Sequence, residues 1–253
     1  MSSLYYRMYA AMDRGSRETQ QDAVNSSFPD LQKDLGVLCV LSDGMGGLES
    51  GDQASDAVVR TMVSVFHQSS VADTPEQILL RGCSFAQREI RKLQENGVDA
   101  GATLVAVLLR GDRCSFLSVG DSRIYLFRAG ALIPLTRDQN RLARIDRQIG
   151  FGRLPEEART DAKKAALTAY IGMEDLERVD RGSRSFAVGP GDRLLLVSDG
   201  VYGTLSEEEM AETMRYPGEQ ACVAMIRRVL AKGLERQDNC SAAVVDCEWA
   251  GNR

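Results

Sequence analysis

The chain has 253 residues, of which 43% are hydrophobic and 26% charged, and its formal net charge is −5. No linker or low-complexity tract divides it, so we expect one domain spanning residues 1–253. Lysines and arginines alternate with acids instead of forming a basic stripe, which argues against a nucleic-acid-binding protein. The longest apolar run, residues 37–41, is too short to cross a bilayer, and no secretory signal pattern is found. We therefore expect a cytoplasmic protein without nucleic-acid or membrane partners.

Six cysteines occur without any C-x-x-C pair. Two of them lie inside apolar, strand-like runs, where a thiol behaves as a small hydrophobic group. The spacing therefore predicts neither a zinc site nor a disulfide framework.

The first half of the chain predicts a strand followed by two helices. Residues 37–42 form an apolar, β-prone run that ends at Asp43-Gly44. Apolar residues then recur at helical spacing over residues 54–65 and again over residues 79–93. The second helix is preceded by Thr74-Pro75-Glu76-Gln77, which matches a capping box with proline at the first helical position.

The second half predicts more strands and shorter helices. Residues 103–109, 114–119 and 123–127, separated by Gly-Asp pairs, are typical of an antiparallel meander. A charged segment at about 137–166 predicts a partly helical surface insertion. There follow a strand at 193–198 ending at Asp199-Gly200, a capped helix from Ser206, a helix at about 219–232 and a strand at 241–247. This order lacks regular βαβ alternation and favours an α+β sandwich.

Five aspartates lie at or next to the ends of the strand-like runs: Asp22, Asp43, Asp121, Asp199 and Asp238. Any single Asp-Gly pair is most often a turn. Five acids in similar contexts are different, because converging carboxylates repel one another unless a divalent cation neutralises them. Oxygen ligands without histidine or cysteine favour Mg²⁺ or Mn²⁺.

Other hydrolytic machinery has little support. The chain has one histidine, His67, placed near the end of an amphipathic helix, where a packed or solvated imidazole is the common situation. Neither the G-x-S-x-G motif nor the P-loop motif occurs. Water activated by metal ions remains the best-supported chemistry.

The arrangement of motifs resembles the metal-dependent protein phosphatases of the 2C type, in their compact bacterial form. The resemblance covers about residues 10–246. The motifs occur in family order: Arg17-Glu18-Thr19-Gln20-Gln21-Asp22, Ser42-Asp43-Gly44-Met45-Gly46-Gly47, Gly51-Asp52-Gln53-Ala54-Ser55, Gly101-Ala102-Thr103, Val119-Gly120-Asp121-Ser122-Arg123, Leu135-Thr136-Arg137-Asp138, Ser198-Asp199-Gly200 and Asp238-Asn239. A lone D-G-x-G-G is weak, whereas the ordered set is specific.

The resemblance implies a four-layer α-β-β-α sandwich with two central, mainly antiparallel sheets. It also implies hydrolysis of phosphoserine and phosphothreonine in proteins, without a phosphoenzyme, by water activated by two Mn²⁺ or Mg²⁺ ions. The residues that would hold the two ions are Asp22, Asp43, Asp199, Asp238 and the carbonyl of Gly44. Arg17 would clamp the phosphate, since a guanidinium offers a planar fork to phosphate oxygens. The substrates would be targets of a serine/threonine kinase, and we expect a monomer.

Asp121 resembles the ligand of a weaker third metal ion, with a turn-capping acid as the equal alternative. Gly203 stands where many relatives have a further acid, which weakens that site. Gln20 replaces the usual asparagine, and Met45 stands where eukaryotic members have a histidine proposed as general acid. The segment at 137–166 resembles the family's mobile flap.

Two rival functions remain. A catalytically weak, phosphatase-like binding module would be expected to lose its metal-ligating acids first, and here they are retained. A metal-dependent nuclease or nucleotide hydrolase would need a basic track or a base-stacking pocket, and the sequence predicts neither.

Overall fold

The computed structural model describes residues 4–27, 35–45, 50–176, 179–181 and 185–249. Two antiparallel sheets form its centre. The first sheet has five strands in the order β1-β11-β10-β6-β7: β1 (Leu4–Asp13), β6 (Arg123–Arg128), β7 (Ala131–Pro134), β10 (Arg193–Val197) and β11 (Cys240–Trp249). The second has the order β2-β3-β4-β5-β8, with β9 also paired to β5: β2 (Asp22–Ser26), β3 (Val37–Asp43), β4 (Leu104–Arg110), β5 (Arg113–Val119), β8 (Asp180–Arg181) and β9 (Phe186–Ala187).

Helices cover the outer face of each sheet. Helices α1 (Gly51–His67) and α2 (Pro75–Glu95) pack on the second sheet, and α5 (Glu207–Thr213) and α6 (Gly218–Ala231) pack on the first. The short helix α4 (Asp199–Tyr202) follows β10 directly. The layers are therefore helix, sheet, sheet, helix, which confirms the predicted four-layer α-β-β-α sandwich.

Alternation along the strands divides the interior into three apolar clusters. In β3, Leu38 and Val40 face α1 and α2, whereas Cys39 and Leu41 lie between the two sheets. This two-residue period is what a strand buried on both faces requires, because successive side chains point to opposite sides. The continuous apolar run at 37–42 is explained by this double burial.

Both predicted capping boxes are confirmed. The Thr74 hydroxyl accepts a hydrogen bond from the Gln77 backbone N–H, and the Gln77 side chain accepts one from the Thr74 backbone N–H. Ser206 and Glu209 make the same reciprocal pair at the start of α5. Each pair satisfies two backbone donors that the first helical turn would otherwise leave free.

The predicted three-strand meander is wrong in its last step. Strands β4 and β5 do form a hairpin, but β6 leaves them and pairs with β10 and β7 in the other sheet. The chain crosses between sheets at Gly120, whose φ of +100° suits glycine. Pattern alone identified the strands, but it cannot tell a hairpin from a crossover of similar length.

The segment predicted as a partly helical insertion contains α3 (Arg141–Gly150) and a 3₁₀ helix (Glu156–Thr160). Asn140 caps α3 by accepting a hydrogen bond from the Ala143 N–H. Across the described ranges, no helix combines the length and apolarity needed to cross a bilayer.

Candidate metal centre

Strand ends from both sheets meet at one place and carry four of the five predicted aspartates. Asp22 is the first residue of β2 and lies directly opposite Asp43, the last residue of β3. From the other sheet, Asp199 follows β10 and Asp238 precedes β11. The antiparallel register of β2 with β3 and of β10 with β11 therefore brings these acids to the same edge of the sandwich.

Asp22 is held by two serines of the opposite sheet. The hydroxyls of Ser198 and Ser241 donate to its Oδ2 at 2.7 and 2.6 Å. Its Oδ1 is buried and receives no hydrogen bond from the described residues. A buried carboxylate oxygen without a donor is uncommon and requires an explanation such as a bound cation.

The acids strongly perturb one another's protonation. The pKa of Asp22 is raised to about 6 and that of Asp199 to about 7, mainly by withdrawal from water and also by the charge of Asp238, while a hydrogen bond to the Asp43 carboxyl acts in the opposite direction. The pKa of Asp43 is raised well above its usual range by desolvation and by the charges of Asp22 and Asp199. Carboxylates raise one another's pKa in this way when no cation lies between them.

Backbone contacts fix the position of Asp43. The Thr103 hydroxyl accepts a hydrogen bond from the Asp43 N–H at 2.9 Å, and the Thr103 N–H donates to the Asp43 carbonyl at 2.8 Å. Ser42 donates its hydroxyl to the Thr103 carbonyl. Thr103 is therefore a positioning residue for the end of β3.

The glycines after Asp43 and Asp199 are required by close approach of other chain segments. A Cβ at Gly44 would lie 2.1 Å from the Gly51 carbonyl oxygen, and one at Gly200 would lie 2.0 Å from the Asn239 carbonyl oxygen. The two Asp-Gly pairs therefore allow neighbouring segments to approach the acids. Gly46 and Gly47 of the first motif lie outside the described residues.

Arg17 lies at the rim of the cluster. Its guanidinium donates to Asp238 Oδ2 at 2.6 Å, and both side chains are partly exposed. The Asn239 amide bonds the carbonyls of Arg14 and Thr19 and accepts from the Gln21 N–H, so it fixes the loop that carries Arg17.

Asp121 occupies a flank of the cluster, close to the insertion. Its carboxylate accepts a hydrogen bond from the Asn140 amide at 3.2 Å, and the neighbouring Tyr202 hydroxyl acts to lower its pKa. Desolvation raises the pKa of Asp121, and Asp121 in turn adds to the charge felt by Asp199. The structure thus brings all five predicted aspartates into one electrostatically coupled region.

The comparisons with known proteins agree with this geometry. Residues 12–246 match the family described as protein phosphatase 2C. The chain belongs to the protein phosphatase 2C family.

Proteins similar to this chain include serine/threonine phosphatases. A serine/threonine phosphatase stp of Listeria monocytogenes serotype 4b (strain F2365) is 29% identical over 220 residues, covering 85% of this chain and 86% of the relative. The structure of the S. agalactiae serine/threonine phosphatase superposes with a TM-score of 0.82 at 28% identity, covering 96% of this chain and 99% of that one. The catalytic domain of the phosphatase PstP, solved in complex with two manganese ions, superposes with a TM-score of 0.75 at 27% identity, covering 97% of this chain and 99% of that one.

In this member of the phosphatase 2C family, the side chains of the aspartate cluster are of the type that binds hard divalent cations. The cluster offers carboxylate oxygens without thiol or imidazole, and Asp22 Oδ1 is available because it accepts no hydrogen bond from the described residues. Among the described residues, no group of three or more acidic, histidine or cysteine side chains is already arranged as a metal cage.

Several residues of the site were not predicted. Ser198 was identified as a strand residue and as part of the Ser198-Asp199-Gly200 motif, and Ser241 only as a strand residue; the roles of these two serines and of Tyr202 and Asn140 were not predicted. A signal existed for Ser198, because a serine within the buried run 193–198 needs a hydrogen-bond partner. The partner itself, Asp22, is distant in sequence and becomes known only from the fold.

Proposed function

We propose that this member of the protein phosphatase 2C family hydrolyses phosphoserine and phosphothreonine esters in proteins, using two Mn²⁺ or Mg²⁺ ions and no phosphoenzyme. The observation that carries the proposal is the cluster of Asp22, Asp43 and Asp199, in which desolvation raises the pKa of all three acids and the charge of Asp22 raises the pKa of Asp43 and Asp199 further. Bound divalent ions would relieve this repulsion, and they supply Lewis acidity and a water of lowered pKa.

We assign the metal-ligating role to Asp22, Asp43, Asp199 and Asp238, together with the carbonyl of Gly44. Ser198 and Ser241 hold Asp22 in the orientation that leaves its Oδ1 available. Outer hydrogen bonds of this kind orient ligands and commonly change metal affinity about ten- to a hundredfold.

Arg17 binds the phosphate in this proposal. It lies beside Asp238 at the partly exposed rim, so a phosphate reaching the acids from solvent meets its guanidinium. A guanidinium can donate two parallel hydrogen bonds to phosphate oxygens. Met45 cannot donate a proton, so we assign protonation of the leaving alkoxide to water.

Asp121 is proposed as the ligand of a weaker third ion. Support comes from its desolvated carboxyl and its electrostatic coupling to Asp199.

Residues 137–166 are proposed as a flap within a single phosphatase domain, because Asn140 joins Asp121 to the start of α3. Substrates phosphorylated by a serine/threonine kinase and a monomeric state also belong to this proposal. The buried free thiols favour a reducing compartment such as the cytoplasm.

The test is hydrolysis of p-nitrophenyl phosphate and of a phosphothreonine peptide by purified wild type and Asp199→Asn, each with Mn²⁺, Mg²⁺ or EDTA. Turnover that requires metal and is lost in EDTA and in Asp199→Asn supports the proposal. A folded wild type that binds Mn²⁺ but hydrolyses neither substrate would favour the phosphatase-like binding module instead.

A further inference from the structure

A cleft of about 490 Å³ lies between the insertion and the first sheet. One wall is helix α3, through Ala143, Asp146 and Arg147, and the opposite wall is formed by strands β6 and β7. Arg137 and Asp138 line the cleft between these walls, and Glu207 at the start of α5 completes it. The cleft is thus built from three separate parts of the chain.

This cleft lies next to the flank of the candidate metal centre, to which Arg123 and Tyr202 connect it. Arg123, in its wall, makes two hydrogen bonds to Asp138 at 2.9 and 2.8 Å and stacks on the Tyr202 ring at 3.7 Å. Tyr202 is in turn a neighbour of Asp121, at the flank of the acid cluster, and acts to lower the pKa of that carboxyl. A polypeptide whose phosphoresidue reaches the acids would therefore have its neighbouring residues beside this cleft.

The charges in the cleft do not cancel. Arg123 is paired with Asp138, and Asp146 is paired with Arg159 outside the cleft. Arg137 and Arg147 are exposed, and neither makes an ion pair within the described ranges. Among the residues that line the cleft, Glu207 is the one acid without an ion pair in the described ranges, so the unpaired charge of the lining is positive. Asp180, which accepts a hydrogen bond from the Arg137 N–H at 3.3 Å, lies next to Arg137 but does not line the cleft.

We propose that this cleft binds the substrate polypeptide next to the phosphoresidue, and that Arg137 and Arg147 select substrates with an acidic side chain there. The inference rests on the proposed phosphatase function and adds to it a substrate class, acidic phosphopeptides. Exposed ion pairs contribute modestly, so each arginine is expected to change kcat/KM about two- to fivefold.

The experiment uses phosphothreonine peptides in which one glutamate is moved stepwise along either side of the phosphoresidue, each with a matched lysine peptide. The ratio of kcat/KM for each glutamate and lysine pair is measured for wild type, Arg137→Gln, Arg147→Gln and the double variant. Arg144→Gln is the matched control, because Arg144 lies on the same helix and is exposed but does not line the cleft. Using the ratio cancels any general loss of activity.

Wild type should prefer glutamate at particular positions, the double variant should lose that preference, and Arg144→Gln should keep it. The preference should also weaken as salt is raised, since exposed charges are screened. Equal rates for glutamate and lysine peptides, or a preference that survives in the double variant, would overturn the inference.

Failure of the proposed function is a separate outcome. In that case p-nitrophenyl phosphate is not hydrolysed by the wild type at all. Binding of the same peptides, labelled with a fluorophore and followed by anisotropy, then tests the cleft without turnover. A glutamate preference that depends on Arg137 and Arg147 would support the cleft, and its absence would overturn it.

Discussion

Acidic side chains at the two ends of strands β10 and β11 have opposite electrostatic surroundings. At the end away from the candidate centre, Asp192 is bonded by Arg128 at 2.8 and 2.6 Å, and Asp246 by Arg193 at 2.6 Å. At the other end, Asp199 follows β10 among carboxylates, with no guanidinium bonded to it in the described part of the chain.

Protonation reflects this difference. Desolvation would raise the pKa of Asp192, but the hydrogen bonds from Arg128 and the Gly189 N–H outweigh it and lower that pKa. For Asp22 and Asp199 desolvation prevails, and the pKa values rise to about 6 and about 7. Acids at one end are paired with arginines of the protein, whereas at the other end only Asp238 has such a partner, Arg17, and Asp22 and Asp199 have no ion pair within the described residues. Perturbed carboxyls without a partner of opposite charge often mark functional sites.

Asp-to-Asn substitutions should change stability in opposite directions at the two ends, and the larger effect on hydrolysis is expected at the centre. Asp22→Asn removes a proposed ligand, and we expect metal-dependent hydrolysis to fall at least about a hundredfold, beyond the loss typical of outer hydrogen-bond partners. In EDTA at pH 8 the variant should be more stable than wild type by roughly 2 kcal/mol, because a desolvated charge is removed. Steady-state kinetics and urea unfolding measure the two effects. Lower stability in EDTA would contradict the description of this end as unneutralised.

At the paired end, Asp246→Asn should destabilise the protein. The substitution leaves the Arg193 guanidinium buried without its counter-charge, and breaking such a pair costs about 3 kcal/mol. Hydrolysis with saturating Mn²⁺ should stay close to that of wild type while the protein remains folded. Urea unfolding gives the stability change, and a value near zero would mean that this pair contributes little.

The metal-free wild type should lose stability as pH rises from about 4 to about 7. The folded-state pKa values of Asp22 and Asp199 lie above the usual 3.8, so in this range the folded state holds more protons than the unfolded one. Asp192 acts in the opposite direction but below about pH 4, because its pKa is lowered from the usual 3.8 and its stabilising effect is lost as the solution becomes acidic. Urea unfolding in EDTA between about pH 4 and about pH 7 therefore measures the effect of the raised pKa values. Saturating Mn²⁺ should reverse the loss at pH 7, and a stability that rises with pH in EDTA would contradict the predicted sign.

The smallest effect is expected from Ser241→Ala. It removes one of two hydroxyl donors to Asp22, and we expect Mn²⁺ affinity to fall about tenfold. Ser118→Ala is the matched control, since Ser118 is a buried serine of the other sheet whose hydroxyl makes no hydrogen bond within the described residues. Calorimetric titration with Mn²⁺ measures the affinity of both variants. An equal loss of affinity in both would mean that Ser241 has no specific role in Mn²⁺ binding.

Much of the fold was predictable because local signals were strong. The buried runs at 37–42 and 193–198 and the two capping boxes each follow from residue types at fixed spacing. Strand β1 (Leu4–Asp13) was missed because it is only partly buried and has no continuous apolar run. The path of β6 was wrong because its partners, β10 and β7, cannot be identified from β6 itself.

The acidic residues of the site were predictable from the sequence, but the residues that support them were not. Asp22, Asp43, Asp121, Asp199 and Asp238 were found because an acid at or next to either end of a strand-like run is visible in the sequence. Their supporting residues were not, since Ser241 and Asp22 are 219 positions apart. The pairing of Asp192 and Asp246 with arginines was likewise hidden, although it is what separates structural acids from candidate metal ligands.

The most direct measurement of the central claim is calorimetric titration of the EDTA-stripped, dialysed protein with Mn²⁺, comparing wild type with Asp199→Asn and Asp246→Asn. Two ions per chain for wild type and Asp246→Asn, with weakened or incomplete binding for Asp199→Asn, are the predicted results. A wild type that binds no Mn²⁺, or an Asp199→Asn variant that binds it unchanged, would contradict the proposal that these acids form a metal centre.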